Sequence, residues 1–257
     1  MATISYKPLI EEMKWSYSRL TSFGNCPYGW FLKYIIGYKE EHEQFYSNFG
    51  KFMHEILDLF HSGKISNDEC VTMFFQEFSD KVKGERPQNI DFYIEQGSQF
   101  LQNMQRLPYH VEATEQFTNF EIGGKKFVGV IDVLCTDDDG DYIIVDHKSR
   151  KLRPFSGKSN PTATDIELSQ YLRQLYLYSA AIQQKFGKLP VKLCFNCFMN
   201  NKFIEVPFDE SEYKAVCDWA IEEIQYIENT VKFYPIIDWF RCKNLCGYCD
   251  DCVYSGG

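Results

Sequence analysis

The sequence predicts a mixed α/β protein with a helical N-terminal extension, and three observations predict it. Up to Pro108 the apolar residues recur at helical spacing. Beyond Pro108 the period drops to two, in short runs rich in Val, Ile and Leu. After the third such run, helical and strand periods alternate, the pattern of a sheet covered by helices. The 257 residues, 44% hydrophobic and 17% aromatic, supply one core of ordinary size with an elaborated periphery. The expected division is 1–110 as a helical part carrying Cys26 and His54, 111–234 as the α/β core, and 235–257 as a cysteine-rich tail.

Ser18 is placed to cap a short helix with Leu20 and Phe23 on one face. Pro27, after Cys26, opens a second helix at its first turn, with Tyr28, Phe31, Leu32 and Ile35 as its stripe. Glu40 to Gln44 is a polar linker. Asn48 to Ser62 is a helix striped by Phe52, Ile56, Leu59 and Phe60, and it contains His54. Ser66 to Val82, capped by Ser66 or Asn67, and Ile90 to Leu107 complete the helical half. Glu112 to Ile122 and Lys126 to Cys135 read as strands turning at Gly123-Gly124. Tyr142 to His147 is the third strand, after the acidic turn Asp137 to Asp141, which is expected to be exposed and chemically idle. Arg150 to Thr164 is basic, holds Pro154, Gly157 and Pro161, and reads as a mobile loop. Asp165 to Phe186 is a helix with Leu168, Leu172, Leu175, Tyr176 and Ser179 inward. Val191 to Met199 is a strand turning at Asn200-Asn201 into Lys202 to Val206. Ser211 to Val231 is a helix capped by Asp209 or Ser211.

No apolar run approaches the roughly 20 residues that span a bilayer. The opening MATISYKPLIEEMKW has no signal-peptide core, so an intracellular protein with no membrane partner is expected. The net charge of −9 argues against coating nucleic acid by bulk charge, but it leaves room for a local basic groove. Ten cysteines without a secretory leader argue against a disulfide scaffold.

Charged residues stand inside the apolar strands. Asp132 lies within VGVIDVL, and Asp146 and Lys148 end IIVDHK on one strand face. A carboxylate in an apolar strand costs free energy unless something pairs with it. One reading is an Mg²⁺ site built by two carboxylates, with Lys148 orienting or deprotonating water or stabilising charge. The other is a structural ion pair. His54 strengthens the first reading if it faces the same cleft, and Gln174 and Tyr178 share a helix face by their i, i+4 spacing. Cys242, Cys246, Cys249 and Cys252 form C-x3-C-x2-C-x2-C, which suits Zn²⁺ or an iron–sulfur centre, with Cys26 a fifth candidate ligand. Cys194 and Cys197 sit three apart in a strand, face opposite sides and read as structural. Cys70, Cys135 and Cys217 read as core or boundary residues.

Several motifs together resemble a known family. GVIDVL, IIVDHKS and Gln174-Leu175-Tyr176-Leu177-Tyr178 resemble, in this order, the G-x-I-D strand, D-x-K strand and Q-x3-Y helix of RecB-type PD-(D/E)XK nucleases. Phe49-Gly50-Lys51-Phe52-Met53-His54 is similar to that family's upstream G-x3-H helix. Ser16 to Tyr34, with S-x-S-x-L and then Cys-Pro, resembles the N-terminal segment of members that carry an iron–sulfur cluster. Those members include the AddB nuclease domain and the RecB-like exonucleases associated with CRISPR adaptation. The resemblance runs from about residue 16 to 252.

The resemblance implies a restriction-endonuclease-like core, a mixed central sheet flanked by helices. It implies a metal-dependent DNA exonuclease, acting on DNA ends or single strands in repair, recombination, or phage- or CRISPR-related processing. His54, Asp132, Asp146 and the His147 backbone carbonyl would hold Mg²⁺ or Mn²⁺, Lys148 would be the catalytic lysine, and Gln174 and Tyr178 would position DNA or support the site. Glu115 is a looser match to a supporting acid. Cys26, Cys242, Cys246 and Cys252 would ligate a [4Fe-4S] cluster, with Zn²⁺ the alternative and Cys249 the alternative ligand. The tail departs from the family spacing by one residue after Cys242 and by the extra thiol of Cys249. Recombination or CRISPR-adaptation proteins are the partners implied. The competing functions are a non-catalytic DNA-binding subunit of a recombination complex and an RNA-processing nuclease.

Overall fold

The computed structural model describes residues 5–39, 44–244, 246–248 and 252–254. The expected linker residues 40–43 and Cys249 lie outside the described residues. The chain opens with α1 (Lys7–Glu11), α2 (Tyr17–Asn25) and α3 (Pro27–Phe31), the last running on into a π-helical turn, Leu32–Ile36. Ser16, not Ser18, caps α2: its hydroxyl accepts from the Arg19 N–H at 3.2 Å, the three-residue reach of an N-cap. The Cys26 thiol caps α3, accepting from the Gly29 N–H, and Pro27 stands at its first turn.

Three helices follow: α4 (Phe45–His61), α5 (Asn67–Lys81) and α6 (Ile90–Asn103). Helix α4 starts three residues before the expected Asn48, because Phe45 and Phe49 are both drawn into the core. Ser66 caps α5 in a reciprocal box with Glu69. Helix α6 ends at Asn103 rather than Leu107. The Asn67 side-chain amide donates to the Leu101 and Met104 carbonyls, satisfying groups at the end of α6 that a longer helix would have used.

The sheet has five strands in the order β1-β2-β3-β4-β5: β1 (His110–Ile122), β2 (Lys125–Thr136), β3 (Tyr142–Lys148), β4 (Lys192–Cys197) and β5 (Lys202–Pro207). All neighbours are antiparallel except β3 and β4, which are parallel and joined across α7 (Ala163–Phe186). Thr162 and Asp165 cap α7 in a second reciprocal box. Helix α8 (Glu210–Glu228) is capped by Asp209 and packs on α7, and α9 (Trp239–Asn244) follows in the tail. Strand β4 is shorter than expected because Phe198 and Met199 leave the sheet and join the core of α4, α5 and α6.

This is the mixed sheet flanked by helices that the sequence predicts. Ile144, Leu193, Phe195 and Cys197 pack with α7 and α8, whereas Ile143, Val145 and Cys194 form a cluster on the other side. Cys194 and Cys197 therefore do face opposite sides. Cys70 and Cys135 are fully buried and Cys217 half-buried. Among the described residues no helix is long and apolar enough to cross a membrane.

The loop from Arg150 to the start of α7, expected to be mobile, is anchored at Leu152, Ser156 and Thr162 and otherwise exposed. Leu152 is buried and its carbonyl accepts from Asn200. The Asp165 carboxylate accepts from the Ser156 N–H and hydroxyl and from the Thr162 N–H and hydroxyl. In the acidic turn, Asp137 Oδ1 accepts from the Asp139 and Asp141 N–H groups and shapes the hairpin, while Asp138 and Asp139 are exposed.

Candidate active site

The strand periods decide what meets at the middle of the sheet. Asp146 and Lys148, two apart on β3, sit side by side, with Lys148 Nζ 2.7 Å from Asp146 Oδ2. The pair is buried, and the ammonium is the charged partner of that carboxylate oxygen. Asp132, on the neighbouring β2, accepts from the His147 N–H at 2.7 Å. His54, from α4, brings Nδ1 to 3.4 Å from Asp132 Oδ2. One helix and two strands thus deliver His54, Asp132, Asp146 and Lys148 to one place.

Charge is distributed unevenly here. Burial pushes the Asp146 carboxyl up, and the nearby Asp132 adds to this, against the pull of Lys148. Burial acts on Asp132 in the same sense, but His54 and the His147 N–H outweigh it and hold that carboxyl down. Burial would lower the Lys148 ammonium, yet Asp146 outweighs it and raises its pKa. Two carboxylates with opposite pKa shifts thus stand beside one ammonium and one imidazole.

Gln174 and Tyr178, one turn apart on α7, complete a relay. Lys148 Nζ donates to Gln174 Oε1 at 3.0 Å, and Gln174 Nε2 donates to the Tyr178 hydroxyl at 3.0 Å. Burial, ahead of the carboxylates, pushes the Tyr178 phenol up to about 12. The Tyr178 ring lies on Gly129, where an added Cβ would overlap it. The glycine of GVIDVL thereby admits the tyrosine that anchors the glutamine that holds the lysine. Gly129→Ala is expected to displace Tyr178, to cost about 1–3 kcal/mol of stability by overpacking, and to slow turnover; urea unfolding and a cleavage rate check it.

A cavity of about 450 Å³ opens beside His54 and Asp132, lined also by Lys51, Glu55, Asp58 and Glu115. His54, Glu115 and Asp132 each offer an atom, all within 4.8 Å of one another, a spacing that suits a metal ion. Glu115 holds a left-handed backbone, φ 45°, close to a register shift in β1. Such strain in a residue with a side chain is uncommon and clusters at functional sites. The loose sequence match for Glu115 is thus brought into the site. Burial and Asp132 both raise its pKa.

Sequence reasoning missed several neighbours. Lys51, Glu55 and Asp58 share a face of α4 with His54, and their i, i+3 and i+4 spacing was a legible signal. The Lys148 ammonium lies 5.4 Å from the Tyr171 ring centroid. The His147 side chain stacks on His61 with centroids 5.2 Å apart, meets the His54 ring edge-on at 5.6 Å, and meets Asn196 at 3.2 Å. That pairing joins residues far apart in sequence, and no local pattern announces it. The basic residues after β3 disperse: Lys151 lies over Phe92, Arg153 and Lys158 line a cavity with Lys202, and Arg150 points to a different cleft.

The other predicted set lies in one region of the surface, although among the described residues its ligand atoms do not gather within 4.8 Å of one another. Cys26, Cys242, Cys246 and Cys252 line one cavity of about 280 Å³. The tail reaches the N-terminal helices through Tyr254 on Tyr28, centroids 5.0 Å apart, and Tyr248 near Tyr38 at 6.3 Å.

Comparison with known proteins agrees with this fold. A solved structure named "Putative exonuclease", from Eubacterium rectale, superposes with a TM-score of 0.54 at 12% identity, covering 98% of this chain and 92% of that one, a likeness of fold. The solved structure of SSO0001 has 18% identity and covers 81% of this chain and 95% of that one, with a weak superposition at a TM-score of 0.32. No curated protein matches the chain. The family model of the PD-(D/E)XK nuclease superfamily matches residues 14–255, nearly the whole sequence and every element of the site just described. The chain belongs to the PD-(D/E)XK nuclease superfamily, whose members hydrolyse phosphodiester bonds.

Proposed function

We propose that this protein is a metal-dependent DNA nuclease of RecB-like type, an exonuclease acting on DNA ends or single strands in repair, recombination, or phage- or CRISPR-related processing. The observation that carries it is the buried Asp132–Asp146–Lys148 group beside the His54 and Glu115 cavity. The donor set fits a hard cation: the carboxylate oxygens of Asp132 and Glu115 and the His54 imidazole lie within reach of one ion. His54, Asp132, Asp146 and the His147 carbonyl are the proposed ligands of Mg²⁺ or Mn²⁺, with Glu115 in support. A cation held there supplies Lewis-acid polarisation of the phosphate and eases ionisation of water.

The chain's own residues do the rest. Lys148 presents its ammonium to the attacking water or to the charge that builds on the phosphate. Gln174 fixes that ammonium, and Tyr178 fixes Gln174. Preorganised donors of this kind need no rearrangement when charge develops. The exonuclease name of the Eubacterium rectale protein accords with an end-directed activity. The test compares end-labelled single-stranded DNA, duplex DNA and RNA with Mg²⁺ or Mn²⁺. Mononucleotides released from DNA support the reading. Cleavage of RNA alone would make it an RNA-processing enzyme, and binding without cleavage a non-catalytic subunit.

The second part of the reading is a [4Fe-4S] cluster held by Cys26, Cys242, Cys246 and Cys252, clamping segment 235–257 to segment 1–110 around the 111–234 core. Its support is that Cys26, Cys242, Cys246 and Cys252 line the same cavity. Purified anaerobically, the protein is expected to be brown, with broad absorbance near ~400 nm. Cys26→Ser should lose that absorbance and melt lower. Serine is itself a good N-cap, so a drop in melting temperature reports lost ligation rather than a lost cap on α3. A colourless protein with stoichiometric zinc would replace the cluster with Zn²⁺.

A further inference from the structure

A second cleft shares no lining residue with the metal-facing cavity. Arg150 leaves β3 two residues after Lys148 and lines a cleft of about 340 Å³. Lys33, from the π-helical turn after α3, and Arg241, from α9, line it too. The remaining lining is polar, small or aromatic, including Ser22, Asn25 and Gly247, and among the described residues it contains no acid. Three cations from three distant parts of a chain of net charge −9 therefore meet in one cleft. Lys33 and Arg150 are exposed and Arg241 is half-buried. The contrast with the metal-facing cavity is sharp, because that one is lined by Glu55, Asp58, Glu115 and Asp132 against a single Lys51.

We infer that the Lys33–Arg150–Arg241 cleft holds the sugar–phosphate backbone of the DNA strand whose scissile phosphate lies at Lys148, and that it does so at phosphates away from the cleaved bond. This rests on the nuclease reading above. Its physical basis is local: guanidinium groups match phosphate oxygens as bidentate donors, and backbone contacts position a strand without reading its sequence. Cys26 and Cys246, of the thiol-lined cavity, also border this cleft. The tail thereby contributes Arg241 to the strand path, so the order of the tail sets affinity for DNA as well as stability.

The test is the salt dependence of binding. A long labelled single strand of DNA is titrated with the full chain in EDTA, so that nothing turns over. Wild type is compared with Arg150→Gln/Arg241→Gln and with a control, Lys81→Gln/Lys83→Gln, which removes the same charge at and just beyond the end of α5. Each phosphate contact adds about 0.7 to the slope of log K against log salt for single strands. The cleft variant is expected to bind about tenfold more weakly, with its slope reduced by about 1.4, while the control keeps the wild-type slope. Arg241→Glu, a charge reversal on a short tail helix, is expected to weaken binding further at an unchanged melting temperature. A cleft variant with the wild-type slope and affinity overturns the inference, as does a control that loses as much as the cleft variant. The nuclease reading fails separately, through a wild-type protein that cleaves no DNA with any metal. Such a protein still reports through its binding slope whether the cleft is used.

Discussion

Asp146→Asn is expected to reduce phosphodiester cleavage by about 10³-fold or more while leaving the protein folded. Asparagine has nearly the shape of aspartate, so the packing at the end of β3 survives. The substitution removes one of two buried carboxylates, and with it the site's capacity to hold a divalent cation. Lewis-acid stabilisation is worth several kcal/mol of barrier, and about 4 kcal/mol corresponds to a factor of about 10³. Lys148 keeps its hydrogen bond to Gln174 Oε1 and so is not left wholly unpartnered. The repulsion between Asp146 and Asp132, one cause of the raised Asp146 pKa, disappears at the same time. The check pairs a cleavage rate with thermal unfolding. Mn²⁺ should raise the melting temperature of the wild type, because a ligand that binds only the native state stabilises it. It should leave the variant's melting temperature unchanged.

Lys148→Met is expected to separate rate from metal binding. Removing a preorganised donor from a reaction site costs about 10²–10³ in rate, and methionine fills much of the volume of the lysine stem. The carboxylates remain, so the Mn²⁺-induced rise in melting temperature should persist in this variant. Without metal, Asp146 loses its ionic partner, and its carboxyl, already pushed up by burial, relieves the cost by taking a proton. A variant that loses both rate and metal response would place Lys148 in the structural support of the carboxylates instead. Read together, the Asp146 and Lys148 variants distinguish a metal site with an adjoining lysine from a structural ion pair, the two readings that the strand pattern alone left open.

Much of this was legible in the sequence, for reasons that differ from element to element. The cap at Ser66 and the turn at Gly123-Gly124 act within a few residues, so local chemistry announces them, whereas the equally local box at Thr162–Asp165 falls where the sequence reads as loop, with the helix placed from Asp165. The end of α6 was not legible, because it is set by Asn67, more than thirty residues upstream in α5. Strand period alone predicts that Asp146 and Lys148 share a face. That Asp132 should lie beside them follows from pairing of β2 with β3, which the hairpin turn implies. The contact of Gly129 with Tyr178 is different, because the glycine's role exists only once α7 lies across β2. The dispersal of Arg150, Lys151, Arg153 and Lys158 was hidden for the same reason. A basic run reads as one patch until the loop's anchors at Leu152 and Asp165 turn its side chains into separate surroundings.

The most direct measurement is release of labelled product from end-labelled DNA by wild type and by Asp132→Ala, each with Mg²⁺, with Mn²⁺ and with EDTA. Asp132 is the residue common to the carboxylate pair and the His54–Glu115 cavity. Product from the wild type with either metal, none in EDTA and none from Asp132→Ala in any condition is the predicted result. Equal cleavage in EDTA, or wild-type cleavage by Asp132→Ala, would contradict a metal-dependent reaction at this site.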